Sequence, residues 1–140
     1  MKASHLISFA CGLLVAVAAM LTTGTSQAQA PNHVYELRIY HANAGKLDTL
    51  KARFKNDTIR IFNNHHMTSV GYWTPQAPNA DNLLIYVLQH PSREEATKNW
   101  AAFNADPEWV KVKAASEVNG KLVDHVDDTY MDPTEFSKLK

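Results

Sequence analysis

The stretch VYELRIY, Val34 to Tyr40, sets a carboxylate, a guanidinium and a phenol at alternate positions, Glu36, Arg38 and Tyr40, with Tyr35, Leu37 and Ile39 between them. Residues two apart on a strand share a face and lie about 7 Å apart at the backbone, near enough for a charge-assisted contact between Glu36 and Arg38. In a pocket wall, Arg38 holds an anionic ligand, Glu36 orients the guanidinium and Tyr40 donates its phenol proton. The same residues also suit a solvated face, or an ion pair at the contact with a second subunit. His125, in VDHVDD, shares its strand face with Val123 and Asp127. A histidine beside a carboxylate can act as a general base whose tautomer the carboxylate sets, here Asp127, although a polar surface strand reads the same way. Tyr72 and Tyr86 complete the ligand-binding candidates, since aromatic rings suit a flat apolar molecule and, at strand spacing, equally suit a core.

Other chemistries find little support. His65 and His66 are adjacent, and neighbours on a helix point roughly 100° apart, so they do not converge on one ion. At a helix end they favour the negative pole of its dipole instead. The chain has a single cysteine, Cys11, which lies in the leader described below, so thiol catalysis and thiolate ligation are excluded from the rest. No metal site and no cofactor are expected. Nor is there a phosphate-cradling glycine loop, a dinucleotide fingerprint or a serine elbow. With 14 Lys and Arg against 14 Asp and Glu, no basic field attracts nucleic acid or anionic lipid.

Residues 1–28 are of a different composition. Met1 and Lys2 precede the apolar run LISFACGLLVAVAAML, Leu6 to Leu21, and then the small and polar TTGTSQAQAP. A basic tip, about 15 apolar residues and a small-residue cleavage zone make a secretory signal peptide. A transmembrane span needs about 20 apolar residues, so no stable membrane anchor is expected after cleavage. Cleavage after Ala28 is preferred to cleavage after Ala30, which would leave Pro31 first. A bacterial periplasmic or secreted location follows.

The rest of the chain must position those side chains. After the first strand, Leu47, Leu50, Phe54, Thr58, Ile61 and Phe62 recur at steps that predict an amphipathic helix from about Gly45 to Asn64. SVGYWT and NLLIYVLQH predict two strands, the second apolar on both faces and therefore central. Ser92 and Glu95 form a capping box for a helix to about Ala105, and Asp106-Pro107 caps another to about Val118. KLVDHVDDTYM, Lys121 to Met131, is the last strand, and 132–140 a C-terminal tail. The order β-α-β-β-α-β predicts a ferredoxin-like α+β fold over 33–131, a four-stranded antiparallel sheet with its helices on one face. Its other face is left open and apolar, which calls for a second copy.

The segments VYELRIYHANAGKLDTLKARF, HHMTSVGYWTPQ and NLLIYVLQHPSREEATKNWAAFNADPEWVKV resemble, in order, the NIPSNAP domain. That resemblance implies membership of the dimeric α/β-barrel superfamily and a homodimer. It implies no catalytic set, because NIPSNAP domains have no agreed one, so the catalytic residues are unknown. The expectation is a homodimeric module in the periplasm that binds a small ligand or a partner. The alternative, which the wider superfamily suggests, is a cofactor-independent monooxygenase or isomerase acting on a small aromatic or apolar substrate.

Overall fold

The computed structural model describes residues 33–77 and 82–140. The signal peptide expected over 1–28 lies outside the described residues. Among the described residues, no helix is long and apolar enough to cross a membrane.

The chain runs β1 (Val34–Ala42), α1 (Leu47–Arg53), a π-helical turn (Phe54–Thr58), α2 (Ile59–Asn64), β2 (Thr68–Trp73), β3 (Leu83–His90), α3 (Arg93–Ala105), α4 (Pro107–Ser116) and β4 (Val123–Met131). The strands form one sheet in the order β2-β3-β1-β4 with every neighbouring pair antiparallel. The expected ferredoxin-like α+β fold is what the chain adopts.

Local signals explain the boundaries. Gly45 adopts φ +71 in the turn after β1, a conformation that favours glycine. The Ser92 hydroxyl accepts from the Glu95 amide at 3.1 Å and starts α3. Glu95 does not complete the box; its carboxylate accepts from Lys98 instead. Asp106 accepts from the Glu108 amide at 2.7 Å, with Pro107 in the first turn of α4. The helix read as continuous from Gly45 to Asn64 is interrupted by the π turn, in which the Thr58 hydroxyl donates to the Arg53 carbonyl at 3.3 Å. The extra residue in that turn re-phases the stripe, so Leu50 before it, Phe54 at its start and Ile61 and Phe62 after it all reach the core.

The register fixes which face of the sheet is covered. Glu36, Arg38 and Tyr40 stand opposite Leu88, Tyr86 and Leu84 of β3, and those three β3 residues are core. The polar set of β1 therefore lies beneath the helices. Leu37 and Ile39, with Ile85 and Val87 across from them, face the open side and are half-buried. Trp73 joins that side at 52% exposure, its ring folded over Gly71, where a Cβ would come within 2.7 Å of it. Residues 132–140 return to the start of β1, where the main-chain oxygen of Lys140 accepts from His33 Nδ1 and from the Tyr35 hydroxyl.

The helix-side core is aromatic, with Phe62 edge-on to Trp100 at 5.5 Å and Phe103 stacked obliquely on Trp109 at 4.5 Å. Phe103 is 2% exposed, whereas Val110 on the outer side of α4 is 55% exposed. Phe103→Ala is expected to cost about 3–5 kcal/mol and Val110→Ala within about 0.5 kcal/mol, both read by denaturant unfolding.

Candidate functional site

The polar face of β1 carries a buried carboxylate. Glu36 is 0% exposed, and it accepts three hydrogen bonds from three different parts of the chain. Arg38 Nη1 donates to Oε1 at 2.6 Å, while His90 Nε2 and Trp100 Nε1 donate to Oε2 at 2.9 and 2.7 Å. Arg38 and Trp100 can only donate, and toward the ionised carboxylate His90 donates as well, through Nε2. Burial pushes the Glu36 pKa up, but the His90, Trp100 and Arg38 hydrogen bonds outweigh it and leave the carboxyl below the ordinary glutamate value.

Arg38 links this network to open space. Its guanidinium lies over the Trp100 ring at 4.3 Å and near the Tyr40 ring at 5.6 Å. Burial works against its charge, yet the nearby Tyr86 and Tyr40 phenols and the Glu36 carboxylate prevail and hold it protonated. Its Nε is buried without a hydrogen-bond partner. Arg38, Tyr40, Trp100 and Trp109 line one pocket of about 460 Å³ between the β1 and β4 side of the sheet and helices α3 and α4. Four cationic side chains border it, Arg38, Arg53, Lys113 and Lys121, against the carboxylates of Glu117 and Asp124 and of Glu36 behind Arg38. The balance favours an anion.

Arg53, which the helix pattern does not single out, forms the far wall. It is buried beneath Trp109, with its guanidinium 5.1 Å from the ring, and donates to Glu117 and Ser116 at 3.1 and 3.2 Å. Its position one step before the π turn is what aims it at α4.

Residues 35–138 match the family described as NIPSNAP. The chain belongs to the NIPSNAP family. Among solved structures, a NIPSNAP family protein of unknown function from Agrobacterium tumefaciens is 21% identical, with a TM-score of 0.68, covering 80% of this chain and 97% of that one. A second NIPSNAP protein from the same organism is 19% identical, also at a TM-score of 0.68, covering 77% and 99%. An uncharacterised NIPSNAP-like domain protein from Burkholderia xenovorans is 18% identical at 0.66, covering 77% and 90%. At these identities the likeness speaks for the fold alone. No curated protein matches the chain.

Within this NIPSNAP domain the six candidate residues divide. Glu36, Arg38 and Tyr40 act together, and the expected Glu36–Arg38 ion pair forms under the helices, which removes Arg38 from the open face of the sheet. Tyr86 is fully buried beneath Tyr40, with ring centroids 5.3 Å apart, and its hydroxyl has no hydrogen-bond partner. Burial and the adjacent Tyr40 raise its pKa well above that of a free phenol. Tyr72 stacks on Tyr86 at 5.4 Å, shares a hydrogen bond with Ser69 and borders a separate apolar hollow beside Phe54.

His125 follows the plainer of its two readings, an exposed residue on a polar strand. Asp127 does not set its tautomer; Asp124 Oδ2 accepts from His125 Nδ1 at 2.8 Å, while Asp127 accepts from His41 Nε2 at 3.0 Å. The adjacent acid wins because both side chains stand exposed at the edge of the sheet and are free to turn toward each other. His65 does more than close a helix: its Nε2 donates to Asp106 at 2.7 Å.

Two outcomes follow. Glu36→Gln removes the countercharge of the partly buried Arg38 and should cost about 1–3 kcal/mol at neutral pH. Because the folded-state pKa of Glu36 is lowered, its contribution is complete above the ordinary value of 4.5 and is lost as pH falls through the lowered one. The gap between wild type and Glu36→Gln in denaturant unfolding should therefore narrow below that pH, and a pH-independent gap would show that Glu36 is not ionised in the fold. Tyr86→Phe removes a buried hydroxyl without a partner and should leave the thermal midpoint unchanged or raised; a loss above about 1 kcal/mol would reveal a partner for it.

Proposed function

We propose that this NIPSNAP protein is an exported homodimer whose pocket binds a small molecule with an anionic head and an aromatic or apolar body. The observation that carries this reading is Arg38: a guanidinium over the Trp100 ring, 4.3 Å from its centroid, held from behind by the buried Glu36 carboxylate, at the wall of a pocket of about 460 Å³. A cation fixed in that way loses little further freedom when it meets a carboxylate or phosphate, and the Trp100 and Trp109 faces provide the apolar wall that a ligand body needs. Export is supported by the leader over 1–28.

The homodimer draws on the open side of the sheet. Leu37, Ile39, Ile85, Val87 and Trp73 make one uncharged strip there, and a second copy meeting it about a twofold axis covers the same strip on both chains. Arg38 takes no part in that contact.

A second reading, the cofactor-independent oxygenase or isomerase, draws on Tyr40 and His125 bordering the same pocket. It is the weaker one, because Tyr86 is sealed beneath the pocket and Asp124 occupies His125 Nδ1.

The test uses 8-anilinonaphthalene-1-sulfonate, an anionic aromatic probe, with energy transfer from tryptophan as the readout. Arg38→Gln should weaken its binding by about tenfold or more, as expected for loss of a charge-assisted contact, and equal binding would remove Arg38 as the anchor. In sedimentation velocity, Ile39→Asp should shift the protein to monomer while Arg38→Gln leaves it dimeric. A wild-type monomer, or a dimer indifferent to Ile39→Asp, would overturn the sheet-to-sheet assembly.

A further inference from the structure

At the far end of β1, on the open side of the sheet, the strand register brings together three groups that lie far apart in sequence. His41 stands directly opposite His125, and Asp127 opposite Ile39, so all three side chains emerge on the same face. The imidazole rings stack with centroids 3.9 Å apart and planes 17° from parallel. One ligand atom from each of His41, His125 and Asp127 lies within 4.8 Å of the other two.

We propose that His41, His125 and Asp127 form a binding site for a divalent transition-metal ion of the Zn²⁺ class. Two imidazoles and one carboxylate are a donor set that suits zinc, copper or nickel, whereas calcium and magnesium prefer oxygen alone. Three protein ligands leave a position for water or for a ligand brought from outside.

The surroundings fit the demands of such an ion. Asp124 Oδ2 accepts from His125 Nδ1, which leaves Nε2 as the free donor and orients the ring, the arrangement in which a carboxylate supports a ligating histidine. The His41 Nε2 contact with Asp127 brings one imidazole and the carboxylate side by side, and a metal ion replaces the shared proton. A metal lies in the plane of the imidazole it binds, so the stacked rings must turn apart. His125 and Asp127 have the room, with side chains 54% and 65% exposed. With Asp124, Asp127 and Asp128 close together on β4, the local charge favours a cation.

Arg38 and Glu36 lie on the covered face, across the sheet from the cluster; His125, on the edge strand, is the one member that also borders the pocket. The cluster's position on the open side places it at the rim of the proposed dimer contact.

The experiment is isothermal titration calorimetry of the protein, prepared without a histidine tag, with Zn²⁺. One ion per chain is expected, with His41→Ala and His125→Ala each weakening binding by at least about tenfold and Asp124→Asn by about 10 to 100-fold. His33→Ala and His66→Ala should leave binding unchanged. Co²⁺ substitution reads the ligands directly: an intense d–d absorption band in the wild type should be lost in His41→Ala while circular dichroism stays the same. No Zn²⁺ heat, or binding that persists in the His41→Ala/His125→Ala double variant, overturns the site.

Discussion

The structure is organised around a carboxylate placed where water does not reach. Glu36 sits on the covered face of a central strand, and removing an ion from water costs several kcal/mol unless every lone pair finds a donor. The donors come from β1 itself, from the end of β3 and from the middle of α3. Satisfying Glu36 therefore fixes three elements against one another. It also decides where Arg38 points, because the guanidinium must reach back to Oε1 while it lies over the Trp100 ring. The pocket wall is a consequence of that arrangement.

The two faces of the sheet then take different work. On the covered face, charge is held still by hydrogen bonds and aromatic rings, with Phe54, Phe62, Tyr86 and Phe103 filling the space around it. On the open face, aliphatic side chains and Trp73 are only partly covered, and His41, His125 and Asp127 gather at one corner, where β1 ends against β4. Family membership says that this framework recurs, since three NIPSNAP structures share it at identities near 20%. Such a framework tolerates wide change in its side chains, so function rests on particular residues.

Much of this was legible in the sequence, and what was not has physical reasons. Alternation in VYELRIY marked a strand, and Ser92 and Asp106 marked helix starts, because strand pleat and capping are local. The ferredoxin-like order followed from the succession of elements. The direction of the polar face did not follow, since a row of Glu, Arg and Tyr beside Tyr, Leu and Ile normally turns its charges to water; His90 and Trp100, 54 and 64 residues away, reverse that choice. The π turn left no mark in the apolar spacing, and with it the inward aim of Arg53. His41 was passed over because its partners, 84 and 86 residues further on, are set by strand register alone.

In the proposed function, the network behind Arg38 presents a fixed cation to a ligand. Native mass spectrometry of the protein purified from cells that make it naturally tests this most directly, comparing wild type with Arg38→Gln. The wild type should retain a small acidic molecule and the variant should be empty. An empty wild type, or the same mass retained in both, would contradict that role.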